Sequence, residues 1–486
     1  MNRFLSFSCR LLLICFSLLL LPMLSRAVNV KDFGAKGDGK TDDTGAINAA
    51  ITGAKDGLLE FPRGTYRITR TIEIQLSENG TLGLSGHGAS ASIIMAGEGA
   101  AFRFIGSHDK GSALPSSVKP ITWQKERMPL IDALEIVGEH PDADGIELRN
   151  TFMPTLRALL IRNVRNGIHL TSRNRNVLID ACHVYNNSGI GIFLDQVNIH
   201  QFIISDSHIS YCKKGGIGVS GSEIRNFQIT GNDIEYNCDP EGPASADIWL
   251  DCSKGGSVRE GTISGNTIQA IPAKGGANIR FMGLSGNPDK IGLWSITGNH
   301  ISNQEVNIHL DHTRGISISG NTFIRGYDHH LLINNSSNLI IEGNVFDHNE
   351  DYFPAQPVPF GGILLNRGEN IILSDNIMDG SGNGTTDLGG AIVVKDSREV
   401  TISGCQIKNP LLNGIQIESS ANLRVVNCTI TERVKNKVML AGIVLKGACP
   451  GTVIKDNSVG RGKEGDISNQ ATGAVVGENS YIQASQ

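Results

Sequence analysis

From about residue 177 the chain alternates short apolar runs with turn residues in a repeating order. The pattern apolar-x-x-[Asn/Cys/Ser]-x-apolar recurs at Ile229 to Ile234 around Asn232, Ile263 to Ile268 around Asn266, Ile296 to Ile301 around Asn299, and Ile318 to Phe323 around Asn321. The same slot is then held by Asn344, Asn376, Cys405, Cys428 and Asn457, and earlier by Cys182 and Ser207, at spacings of 22 to 34 residues. A fixed motif at a variable spacing near 25 residues predicts one coil of a solenoid, with loops inserted into a constant core. An inward asparagine at one turn of each coil can hydrogen-bond the next coil and satisfy groups that would otherwise be buried unpaired.

A second element, a small or polar residue followed by Ile-x-Leu, Val or Phe, recurs in 13 coils from Gly145 to Gly473. Period-two alternation with Ile and Leu inward predicts that the residues before, between and after them face solvent in rows about 4.8 Å apart. Early coils would present Gly191, Phe193 and Asp195. Three central coils differ, presenting Asp247, Trp249 and Asp251, then Asn278, Arg280 and Met282, then Asn307, His309 and Asp311, with His330 on the next strand. Insertions at Asn237 to Ala246, Ser253 to Glu260, Gly283 to Leu293 and Phe346 to Phe360 would wall a groove over them. The predicted fold is all-β, a single-stranded right-handed parallel β-helix with an N-terminal capping helix. Residues 28–486 form one domain, with the cap and first coils in 28–100 and regular coils in 130–480.

Chemistry follows from spacing. Asp251 and Asp311 hold the same outward position two strands apart, about 9.6 Å at 4.8 Å per strand. Inverting glycosidases separate their acid and base by roughly 6.5–9.5 Å. Arg280 lies on the strand between them, and His309 shares a strand with Asp311; these two and Asp247 complete the catalytic candidates. Trp249 is a plate for a sugar ring, with Asn278, Asn307, His330 and Asp195 as further polysaccharide contacts. Tyr236, Trp294, Tyr327 and Tyr352 could extend the platform. An aspartate closing a strand is also a common turn former, so each acid has a structural reading beside the chemical one. A Ca2+ ion held by Asp247, Asp251 and nearby carbonyls is compatible with the composition, but no D-x-D-x-D-G spacing supports it; no metal site or cofactor is assigned.

Arg3 and Arg10 before the apolar run Leu11 to Pro22, then Ser25-Arg26-Ala27, read as a signal peptide over residues 1–27. The expectation is a secreted protein, extracellular or periplasmic, with no membrane segment after cleavage. Without that segment 40 basic and 48 acidic residues leave a formal charge of −8, which argues against a nucleic-acid partner and weakly against a polyanion clamp. Seven cysteines remain, an odd number without a CxxC pair, so no disulfide framework or zinc site is indicated. Gly34 to Thr41 satisfies the phosphate-loop pattern G-x-x-x-x-G-K-T, but Asp42 and Asp43 stand where phosphate would bind, so the match is read as false.

The segment Val28 to Ile51, with Asp32-Phe33-Gly34-Ala35 and Asp38-Gly39-Lys40-Thr41-Asp42-Asp43, followed by Leu59 to Ile68 and Leu84 to Ala89, closely resembles the opening of the pectate-lyase-like superfamily. Rhamnogalacturonases, polygalacturonases, mannuronan epimerases and many phage tailspikes share that opening. The resemblance implies a helix at about Thr44 to Gly53 that plugs the first coil and covers its edge, and activity on the sheet of Ile-x-Leu strands. Gly86-His87-Gly88 precedes the repeats, the other polygalacturonase motifs are absent, and Cys238 to Gly242 half resembles the epimerases' D-P-H-E, so the resemblance implies a location and not a residue set. The expected function is cleavage of an extracellular polysaccharide by a monomer, by hydrolysis or by β-elimination, with hydrolysis favoured. The alternative is a non-catalytic polysaccharide-binding or cell-surface protein.

Overall fold

The computed structural model describes residues 27–88, 90–111, 114–348, 361–434 and 437–482. The predicted signal segment, apart from Ala27, lies outside them, as do Tyr352 and most of the insertion after Phe346. No helix of the described residues is long and apolar enough to cross a membrane.

The chain winds as a right-handed parallel β-helix, each regular coil contributing three strands to one continuous ladder. A representative coil runs Gly215–Ser220, Glu223–Thr230 and Asp233–Glu235, and the next runs Ala246–Asp251, Ser257–Ser264 and Thr267–Gln269. These are called the main, second and third sheets. On the main sheet Ile217, Ile248, Ile279, Ile308, Leu331 and Ile363 are in parallel register and fully buried, as the alternation requires. Burying each such side chain contributes about 1.5–3 kcal/mol.

The corner between second and third sheets is built by the Asn motif. Asn232, Asn266, Asn299, Asn321, Asn344 and Asn376 are each at most 3% exposed, and each accepts from the preceding coil. Asn299 donates from N and Nδ2 to Asn321 Oδ1 at 3.0 and 2.9 Å, and from Nδ2 to Ile263 O at 3.0 Å. The residue before the asparagine turns through the left-handed region, with φ of 69° at Gly231 and 64° at Gly265, which explains the Gly-Asn pairs in the sequence. Cys182, Cys405 and Cys428 occupy this column, and all seven described cysteines are free and buried.

At the N-terminal end a helix, Thr44–Gly53, buries Ile47, Ala50 and Ile51 in the same core. In the glycine-rich loop before it, Asp43 accepts from Lys36 N at 2.6 Å and Gly37 N at 3.0 Å while only 1% exposed. The loop's amides are therefore satisfied by the protein's own carboxylate, where a nucleotide phosphate would otherwise sit.

Two expectations about the groove walls change. Ser257–Ser264 is a second-sheet strand, so the supposed insertion from Ser253 is a short turn. Trp294 is not a platform residue: it is 2% exposed, packs edge-on to Phe227 and Phe281, and donates from Nε1 to Val258 O. Gly261 makes room for it, since a Cβ there would fall 2.3 Å from the indole.

Candidate functional site

The outward face of the main sheet carries two rows. The middle row reads His169, Phe193, Gly218, Trp249, Arg280, His309 and Leu332. The row at the strand ends reads Thr171, Asp195, Ser220, Asp251, Met282, Asp311 and Asn334. Acids thus occur on every second strand, and Asp251 and Asp311 stand in register across Met282, as the alternation required.

In the middle row, the Arg280 guanidinium lies 5.0 Å from the Trp249 ring centroid and Nη2 donates to Gly275 O. Arg280 is only 7% exposed, less open than alternation suggests, and its buried Nε has no hydrogen-bond partner. Burial lowers its pKa, opposed by Glu305. Trp249 and Leu332 pack on Ala246, Ala277 and Val306, which anchors the indole on the sheet. Burial, and then Arg280, push His309 down to about 4, so its imidazole is neutral at physiological pH.

In the end row, Asp251 Oδ1 accepts from Ser253 N at 2.9 Å and Ser253 Oγ at 2.6 Å. Asp311 Oδ1 accepts from Asn335 Nδ2 at 2.8 Å and lies 2.8 Å from His312 Nδ1. Both carboxylates are half-buried and fixed in orientation. Asp195 lies 3.5 Å from His169 Nε2, and that imidazole stacks on Phe193 with ring centroids 5.2 Å apart.

Four residues placed on the outer face by alternation are instead interior. Asp247, Asn278, Asn307 and His330 are at most 1% exposed. Asn278 Nδ2 donates to Asp247 Oδ2 at 3.1 Å, Asn307 Nδ2 donates to Asn278 Oδ1 at 2.9 Å, and His330 Nδ1 lies 2.8 Å from Asn307 Oδ1. Asp247 Oδ1 also accepts from Asn237 N and Nδ2, both at 3.2 Å. Each of these residues immediately precedes the first inward Ile or Leu of its main-sheet stretch, where the chain leaves the corner, so its side chain points into the turn. Earlier coils have glycine there, and at Gly216 a Cβ would meet Asn237 Nδ2 at 2.9 Å. These four cannot touch a polymer on the sheet as the chain is folded; they form a second polar ladder beneath it. The switch from glycine to polar residues at this one slot was the signal available in the sequence. A Ca2+ shared by Asp247 and Asp251 is likewise unsupported, because one carboxylate is interior and the other outward, and no cluster of metal-ligating groups occurs among the described residues.

Burial raises Asp247 to about 7 against its three donors. A carboxyl with a raised folded pKa binds a proton that the unfolded chain has lost, so stability falls as pH rises from about 4 through 7. Asp247→Asn should flatten that fall, with thermal melts differing by on the order of 2–4 kcal/mol less than wild type between pH 4.5 and 8. An unchanged pH dependence would show that another group sets it.

Residues 27–242 match the family model for rhamnogalacturonase A/epimerase, pectate lyase-like, and residues 290–458 match that for the periplasmic copper-binding protein NosD. Alginate lyase 7 of Azotobacter vinelandii is 61% identical over 44 residues, covering 8% of this chain and 5% of that protein. The chain therefore aligns with only about a twentieth of that relative's length. The uncharacterized protein YclG of Bacillus subtilis (strain 168) is 22% identical over 93% of this chain and 74% of its own. Among solved structures, the tailspike of E. coli bacteriophage HK620, in complex with pentasaccharide, superposes with a TM-score of 0.48 at 11% identity, covering 94% of this chain and 81% of that one. The Azotobacter vinelandii mannuronan C-5 epimerase AlgE4 A-module gives a TM-score of 0.34 at 16% identity, covering 94% and 100%. The matched N-terminal module leads into three parallel sheets of stacked coils, the architecture of the pectate-lyase-like β-helix superfamily.

Proposed function

We propose that this is a secreted carbohydrate-active enzyme that cleaves glycosidic bonds of an extracellular polysaccharide on the outer face of its main sheet. The observation that carries the reading is the registered pair Asp251 and Asp311, two strands apart with Trp249, Arg280 and His309 beside them. At about 4.8 Å per strand their backbones are roughly 9.6 Å apart, a span that leaves room for a water between an acid and a base. One carboxyl protonates the departing glycosidic oxygen, and the other takes a proton from the water attacking the opposite face of the ring, which inverts the anomeric centre. Trp249, backed by Arg280, offers the plate on which the adjoining sugar stacks.

A second reading, β-elimination on a uronic acid, is favoured by the neutral His309 beside a desolvated Arg280. There His309 removes the proton on the carbon next to the carboxylate, which Arg280 holds; the neighbouring carbon's bond to the glycosidic oxygen breaks as the double bond forms, and water protonates the departing oxygen. The two readings separate in one assay. The secreted protein is incubated with a panel of plant and algal polysaccharides while reducing ends and the ultraviolet absorbance of unsaturated products are followed. Reducing ends alone mean hydrolysis, both signals together mean elimination, and binding with neither signal would sink the enzyme reading for those polymers. Trp249→Ala should weaken polymer binding about tenfold, the scale of a lost aromatic contact, as read by affinity electrophoresis. An unchanged mobility shift would remove Trp249 from the binding face.

A further inference from the structure

Around the corner from the main sheet, the second sheet carries a column of basic side chains that the chain's net charge conceals. Arg175, His200, Arg225 and Arg259 stand in direct register on four successive coils. Their spacing is about 4.8 Å per coil. Arg173 lies one outward position away, in register with Asn198. These are the coils that carry Thr171, Asp195, Ser220 and Asp251 at their main-sheet strand ends.

Few acids oppose the column, and none of them is buried against it. Arg175 is 3% exposed and forms no ion pair among the described residues. Arg259 has a buried Nε without a hydrogen-bond partner. Arg225 spends Nη1 on Ile224 O and Ser257 O, and its Nη2 pairs loosely with Glu223 Oε2 at 3.7 Å. Glu260 flanks the column but is exposed and accepts from Asn226. Arg173 is held by Asn198 Oδ1, Gly111 O and His108 Nε2, none of them anionic. Burial holds Arg173, Arg175 and Arg225 below the usual guanidinium range, and burial followed by Arg175 lowers His200. Stacked, partly desolvated like charges repel, and the repulsion is relieved by an anion that spans them.

We propose that Arg225 and Arg259, adjacent on successive coils and backed by the buried charge of Arg175 and by Arg173, bind the acidic groups of a polyanionic polysaccharide lying along the helix axis. This deepens the reading above and rests on it only in taking the polyanion to be a polysaccharide. A regular polymer suits the site better than a single small anion, because the guanidinium groups are ranged along the helix axis on separate coils. Guanidinium pairs well with carboxylate and sulfate alike, so either can be the charged group.

The full secreted chain is titrated by affinity electrophoresis and calorimetry against a polyuronate, a sulfated galactan, a neutral β-glucan and single-stranded DNA at several salt concentrations. The expected result is binding to the polyuronate or the sulfated galactan that weakens steeply with salt. The double variant Arg225→Glu/Arg259→Glu should lose at least tenfold in affinity for that polymer and show a shallower salt dependence, with its neutral-glucan behaviour and circular dichroism unchanged. Arg225→Lys/Arg259→Lys should retain most of the affinity and thus report on charge rather than folding. The proposal is overturned by unaltered affinity in the reversed variant, by equal loss toward the neutral glucan, by no acidic polysaccharide binding, or by tighter binding of the DNA. Cleavage is scored separately with Asp251→Asn, so loss of catalysis with intact polyanion binding counts against the catalytic reading alone.

Discussion

Asp311→Asn is expected to lower the rate of polysaccharide cleavage by roughly 10²–10⁴-fold, the range contributed by one positioned proton-transfer group, with polymer affinity within about threefold of wild type. The substitution keeps the shape of the side chain and the acceptor for Asn335 Nδ2, so the coil has no reason to shift. Asp251→Asn should cost a similar amount, and the double variant should lose little more than the worse single, because two groups serving one step are not additive. Full activity in both single variants would move the chemistry away from the end row. Normal elimination in both, with loss only in Arg280→Lys and His309→Gln, would instead select the lyase reading.

Asn299→Leu is expected to lower stability by about 3–5 kcal/mol. The leucine is close in volume, so cavity formation is small and the loss is one of hydrogen bonds. Asn266 N and Nδ2 lose their acceptor, and Ile263 O and Asn321 Oδ1 each lose a donor, all inside the core. Each group left buried and unpaired costs about 1–3 kcal/mol. Asn299→Ser should cost less, because Ser207 already fills the slot, donating to Ser205 O while its backbone amide donates to Asn232 Oδ1. Chemical denaturation with hydrogen exchange over residues 229–346 checks this; a leucine variant within about 1 kcal/mol of wild type would mean that the column gives order without stability.

The coil register was legible because two periodicities agreed: alternation within a strand, and the Gly-Asn step once per coil. Asp251, Trp249, Arg280 and His309 stand in the rows that alternation gives them, with Arg280 more buried than alternation implies. Four of the misplacements have one physical origin, the corners. Alternation says nothing about a residue where the chain turns, so Asp247, Asn278, Asn307 and His330 read as outward although they hydrogen-bond beneath the strand. Trp294 was assigned to a loop because Gly261, the partner that makes its pocket, is 33 positions away in the sequence. The Arg175 to Arg259 column escaped notice since no motif marks the second-sheet strand, and its members are 25 to 34 residues apart. Their proximity exists only after coiling. A net charge of −8 averages over the column and hides it.

The Asn column also bears on how the molecule opens. In a linear array each coil is held only by its two neighbours, so thermal fraying begins at the ends and advances one coil at a time. The coils from Ile217 to Leu331 are midway along the stack and are joined by unbroken amide links from Asn232 to Asn344. These coils are expected to be the last to lose their shape, which would set Asp251 and Asp311 in the slowest-exchanging stretch of the chain.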